Sequence, residues 1–120
     1  MASELPPQIQ NQIAQLQQVQ QQAQALSTQK AQMELMLKEV ESALEELSKL
    51  PEDAVVYKSA GGLMLRVDKA VSETELTERK ESLEVRIKSV ERQLERVEKR
   101  FNELQSQITS ALGSKGPVAE

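Results

Sequence analysis

The stretch LEVRIKSVERQLERVEKRFNELQSQITSA, residues 83–111, decides the fold. Its apolar residues advance in alternating steps of four and three: Leu83, Ile87, Val90, Leu94, Val97, Phe101, Leu104, Ile108 and Ala111. An α-helix turns once in about 3.6 residues, so a set that recurs about every 3.5 stays on one side and makes a narrow seam for a second helix. Upstream the same series includes Lys80 and Leu76. Ser72 with Glu75 reads as a capping box, and the run from Gly113 to Pro117 reads as a stop. The spacing therefore predicts a helix over about 73–112 and a flexible tail over 113–120.

The first half of the chain carries a matching series: Ile9, Ile13, Leu16, Val19, Ala23, Leu26, Lys30, Met33, Leu37, Val40, Leu44 and Leu47. One extra step of three, from Leu16 to Val19, reads as a stammer, a local overwinding of the seam. Pro6 and Pro7 suit a first helical turn, and Pro51 ends the helix by forcing Leu50 out of helical geometry. This predicts a helix over about 7–49. Glutamine dominates residues 8–32, yet glutamine is a good helix former and the seam runs through the tract. Laid antiparallel, the two series match in order: Leu47 with Leu76, Val40 with Leu83, Leu37 with Ile87, Leu26 with Val97, Val19 with Leu104. The smallest seam residue of the first helix, Ala23, meets the largest of the second, Phe101. The two charged seam members, Lys30 and Lys80, are read as snorkelling toward nearby glutamates.

Between the helices the texture changes. Ala54-Val55-Val56-Tyr57-Lys58, the turn Ser59-Ala60-Gly61-Gly62, and Leu63-Met64-Leu65-Arg66-Val67 predict a β-hairpin over about 54–68. A three-residue loop at Ala60–Gly62 would set Tyr57 opposite Leu65 and Val55 opposite Val67, with the apolar side chains on one face. The fold class expected is mainly α: a long antiparallel two-helix coiled-coil hairpin with one β-hairpin at the bend, the whole chain forming a single unit.

Composition agrees. Aromatic residues are 2% of the 120, and the hydrophobic share is 38% against 28% charged, which suits a seam better than a compact core. Cysteine and histidine are absent, which removes disulfides, thiol nucleophiles, histidine acid–base chemistry and the usual zinc ligands. Gly61-Gly62 is not followed by the Lys-Ser/Thr of a phosphate loop. Glu45, Glu46, Glu52 and Asp53 read as a solvated helix end. No enzyme activity, cofactor or metal is expected. A net charge of −4 disfavours nucleic acid, and Glu91, Glu95 and Glu98 interrupt the basic series Arg86, Arg92, Arg96 and Arg100. No membrane span or secretion signal is read, and a cytoplasmic setting is expected.

Two features demand partners. A lone two-stranded ribbon is marginal in water, so the hairpin side chains Val55, Val56, Tyr57, Leu63, Leu65 and Val67 either fold onto the helix ends or join hairpins of other chains into a sheet or barrel. At the other end of the helices, Leu5, Ile9, Ile13, Leu112 and Val118 lack partners, because Ile13 would face only Ala111 and Ile9 would lie beyond the stop at Gly113. That end is either frayed or an adaptable apolar surface.

The opening Pro-Pro-Gln-Ile-Gln at 6–10, Ala43-Leu44-Glu45-Glu46-Leu47, Leu50-Pro51-Glu52-Asp53-Ala54-Val55-Val56-Tyr57-Lys58 and Leu63-Met64-Leu65 resemble the beta class of the archaeal prefoldin family. The resemblance covers nearly the whole chain, and the Val-Tyr-Lys hairpin between equal helices is its most specific part. It implies a hexamer of two alpha and four beta subunits whose hairpins form a β-barrel platform. It also implies ATP-independent capture of unfolded polypeptides at the distal helix ends and their transfer to a group II chaperonin. On this chain, assembly would fall to the six hairpin residues and client contact to Leu5, Ile9, Ile13 and Leu112. The competing reading is a structural coiled-coil tether that binds one defined partner.

Overall fold

The computed structural model describes the backbone of residues 5–115 and the side chains of 5–113. Residues 116–120 of the expected tail, Val118 among them, lie outside the described residues. Four elements follow in order: helix α1 (Pro7–Ser48), strand β1 (Val56–Ala60), strand β2 (Leu63–Val67) and helix α2 (Lys69–Lys115). Two long helices thus flank one small antiparallel sheet.

Helix α1 starts on Pro7, where a missing N–H costs nothing because the first amides of a helix have no partner within it. Its last turn tightens: Lys49 N donates to Glu46 O at 3.2 Å and Leu50 N to Leu47 O at 3.1 Å, and Pro51 follows. The carbonyls left open there find side chains. Ser48 Oγ donates to Glu45 O at 2.6 Å, and Lys69 Nζ donates across to Leu50 O at 2.9 Å.

Helix α2 departs from the expected bounds at both ends. It begins at Lys69, directly after β2, and Ser72 N already donates to Asp68 O at 3.0 Å. Asp68 therefore holds the N-cap position, a role its residue type suits, and the Ser72–Glu75 pair lies inside the helix. At the far end the helix passes through Gly113 to Lys115. Gly113 is not among the glycines with positive φ, so it continues the helix instead of capping it, at a penalty of about 1 kcal/mol relative to alanine.

The seam is where the periodicity placed it. The buried apolar residues are Ile9, Val19, Met33, Val40 and Leu47 of α1 and Leu83, Ile87, Val90, Leu104 and Ile108 of α2. Every one belongs to the two series, whereas Leu35, Met36 and Val85, which do not, are exposed. Ile13, Leu16, Ala23, Leu26, Leu94, Val97 and Phe101 are half-buried, as expected where only two helices supply cover.

Packing divides the chain into two units, residues 30–89 and the remainder. In the 30–89 unit, Lys80 Nζ lies 3.5 Å from Glu41 Oε2 with both groups partly exposed, so this seam lysine does snorkel. Leu47 and Leu76, expected partners, line one groove. In the other unit, Gln12 Nε2 donates to Gln107 Oε1 at 3.3 Å and Arg100 Nη2 to Gln15 Oε1 at 3.4 Å, and Leu26 and Val97 share a groove. In each unit residue numbers fall on one helix as they rise on the other, the antiparallel order.

Candidate functional site

The hairpin register is Val56↔Val67, Tyr57↔Arg66, Lys58↔Leu65, Ser59↔Met64 and Ala60↔Leu63. This corrects the expected pairing of Tyr57 with Leu65 and Val55 with Val67. The reason is the turn. Gly61 and Gly62 have φ of +56° and +83°, so the pair forms a two-residue loop with both residues left-handed, the geometry that matches strand twist. A three-residue loop would have drawn Ala60 into the turn. The slip redistributes the faces: Val56, Leu63, Leu65 and Val67 share one, while Tyr57 lies on the other with Met64 and Arg66. Val55 precedes β1 and is exposed. The expected single apolar face is thus two faces.

Both carry exposed apolar surface. Tyr57 is 56% exposed and Leu65 47%, and Leu63 and Met64 are more open still. Each strand also leaves one edge unpaired, since the sheet has only two strands. A groove of about 330 Å³ runs from the hairpin onto the helix ends, lined by Ala43, Leu47, Leu50, Val56, Tyr57 and Leu76. Lys58 Nζ lies 3.4 Å from Glu75 Oε2 and ties β1 to the first turns of α2. Leu50 and Met64, both exposed, belong with this surface and were not picked out by sequence.

At the start of α1 and the end of α2 the four expected contact residues separate. Ile9 is 3% exposed and sits with Gln107, Ser110 and Ala111, which corrects the expectation that it has no partner. The turn of α2 that carries Gln107, Ser110 and Ala111 lies beside it. Ile13 is half-buried. Leu5 and Leu112 remain open, at 37% and 43%. Leu5 is held in place because Gln10 Nε2 donates to its carbonyl at 2.7 Å. Beside Ile9 lies a groove of about 370 Å³ whose polar lining is Gln8, Gln12, Ser106, Gln107 and Ser110. Gln8 and Gln12 stood in the glutamine tract without being picked out of it, and Ser106, Gln107 and Ser110 were not singled out, because a search for apolar steps passes over the flanking polar groups.

Both surfaces mix apolar and polar side chains. Among the described residues no group of acidic side chains is placed to hold a metal ion, and no helix is long and apolar enough to cross a membrane. What both offer is apolar area next to hydrogen-bonding groups, the makings of binding surfaces.

A family model described as "Prefoldin subunit" matches residues 10–115, nearly the whole chain. The chain belongs to the prefoldin family. Among its relatives, the prefoldin subunit beta of Methanothrix thermoacetophila is 58% identical over 98% of this chain and 98% of that protein. That of Methanococcoides burtonii is 56% identical over 97% and 99%. The crystal structure of the prefoldin beta subunit from Thermococcus strain KS-1 is similar with a TM-score of 0.85 and 42% identity, covering 95% of this chain and 98% of that one. Prefoldin architecture accounts for the element order here, two helices with one hairpin between them, and an assembly of such hairpins into a barrel is consistent with it.

Proposed function

We propose that this chain is a beta-type prefoldin subunit, a chaperone component that holds unfolded polypeptides at the free ends of its helices and passes them to a group II chaperonin without using ATP. The observation that carries this reading is the match to prefoldin beta subunits along helices and hairpin together. A coiled-coil tether is not favoured by that match.

In the proposed assembly, Val55, Val56, Tyr57, Leu63, Leu65 and Val67 join this hairpin to those of other beta subunits and of an alpha-class partner. The exposure of Val55, Tyr57, Leu63 and Leu65 in the single chain and the two open strand edges support the assignment, Val56 and Val67 being half-buried. Client contact falls to Leu5 and Leu112, with Ile13 beside them, while Ile9 supports them from the seam. Two exposed leucines offer little area, so one subunit grips weakly. Several subunits around a shared cavity raise the effective concentration and turn weak contacts into a hold that is still quickly reversible.

The test is suppression of aggregation when chemically unfolded citrate synthase is diluted into the assembled protein. Leu5→Ser with Leu112→Ser leaves the assembled mass unchanged and weakens suppression roughly threefold or more, since the loss recurs at every beta subunit. Unaltered suppression by an intact assembly would refute the client assignment.

A further inference from the structure

The groove beside Ile9, lined by Gln12 and Gln107, carries an inference that rests on the client-holding role proposed for this end. We infer that it recognises the client's main chain: its amide and hydroxyl groups hydrogen-bond to the open peptide groups of an extended segment.

Three observations lead there. First, no residue lining the groove is charged, and the chain has no charged residue from Leu5 to Gln29. Such a surface neither selects nor repels a client by its charge. Second, the lining groups Gln8, Ser106, Gln107 and Ser110 are exposed, and each side chain can both donate and accept, as a peptide group does. Third, one polar atom there is unsatisfied. Gln12 Nε2 donates to Gln107 Oε1 at 3.3 Å, while Gln12 Oε1 is buried with no hydrogen-bond partner. That contact uses one N–H of Gln12 and one lone pair of Gln107, so the Gln12 oxygen and the Gln107 NH2 group are left for a ligand. Interchanging the amide's O and N still leaves one buried polar atom unpaired. Buried polar groups are nearly always paired, so an orphan at the wall of a groove marks a place for a ligand group. The terminal torsion of glutamine is broad, so the Gln12 amide can turn, exchanging its 3.3 Å contact with Gln107 for one to a ligand.

The consequence is discrimination. In a folded protein the peptide groups are paired internally, and in an unfolded segment they are open. Leucines alone would hold any apolar patch. Leucines beside a peptide-reading groove hold apolar segments whose backbone is also available, whatever their side-chain charge.

The experiment compares two fluorescein-labelled peptides of alternating leucine and serine, one with all amide bonds and one with ester bonds at alternate positions, which removes N–H donors and keeps the side chains. Anisotropy titration of the full-length protein in its assembled form gives each affinity. The ester peptide binds about fivefold more weakly, the worth of one neutral hydrogen bond. In Gln12→Leu with Gln107→Leu the two peptides bind within twofold of each other, and Gln107→Ala, an exposed change that leaves the seam untouched, gives an intermediate ratio. Leu5→Ser with Leu112→Ser weakens both peptides equally. Equal binding of the two peptides to the unsubstituted protein, with the leucine variant still weakened, would overturn main-chain recognition and leave the client site standing. An ester penalty that survives both glutamine changes would overturn it as well. A leucine variant that binds both peptides normally would overturn the client site and this inference with it.

Discussion

Leu104 is the residue on which the seam leans most, because only 1% of it is exposed. Leu104→Ala removes three buried carbons, a transfer loss of about 0.8 kcal/mol each or about 2.4 kcal/mol in all. The void left behind adds to this, although a two-helix seam can close partly around it, so the expected total is about 3 kcal/mol. For a chain of this size each kcal/mol lowers the melting temperature by about 4 °C, which gives a fall of about 12 °C. Leu35→Ala is the matched control. It removes the same carbons from a site that is 60% exposed, and its stability changes by less than about 0.5 kcal/mol. Thermal melts followed by far-ultraviolet circular dichroism read both, at one protomer concentration because assembly stabilises by mass action. If the two leucines fell equally, or Leu35 fell further, the apolar steps would not mark the interior and the seam would be wrong.

Two more expectations follow from particular residues. Gly61→Ala with Gly62→Ala meets no neighbouring atom, yet forces positive φ on alanine at both sites, so melting shows a loss of about 1–2 kcal/mol per residue, and D-alanine at the same positions restores stability. Lys80→Met gives up a pair with Glu41 that is partly exposed and worth less than about 1 kcal/mol, while keeping the stem in the seam. Its melting temperature stays level or rises, whereas Lys80→Ala, which loses the stem, melts lower.

The seam was legible because burial on a helix leaves a period that no other constraint imitates. Every buried apolar residue, from Ile9 to Ile108, stood in the two series read from the sequence. The ends were less legible because local signals there compete. Ser72 and Glu75 have the letters of a capping box, but Asp68 follows β2 directly and starts the helix one turn earlier. Gly113 has the letter of a stop, but glycine only permits a left-handed turn and does not compel one. Ile9 is covered beside Gln107, Ser110 and Ala111, so among the described residues at that end Leu5 and Leu112 stay open and Ile13 is half-covered. In the hairpin the register turned on whether Ala60 belonged to the loop. Two adjacent glycines could supply the whole turn, and they did. The groove of Gln12 and Gln107 left no trace in sequence, since eleven glutamines between residues 8 and 29 look alike until α2 lies across two of them.

In the proposed assembly the exposed hairpin joins subunits. Native mass measurement of this chain mixed with an alpha-class prefoldin subunit tests it most directly. A hexamer that Leu63→Glu with Leu65→Glu reduces to monomers and small fragments, their helices intact by circular dichroism, is the predicted result. A complex of undiminished mass carrying both glutamates would contradict it.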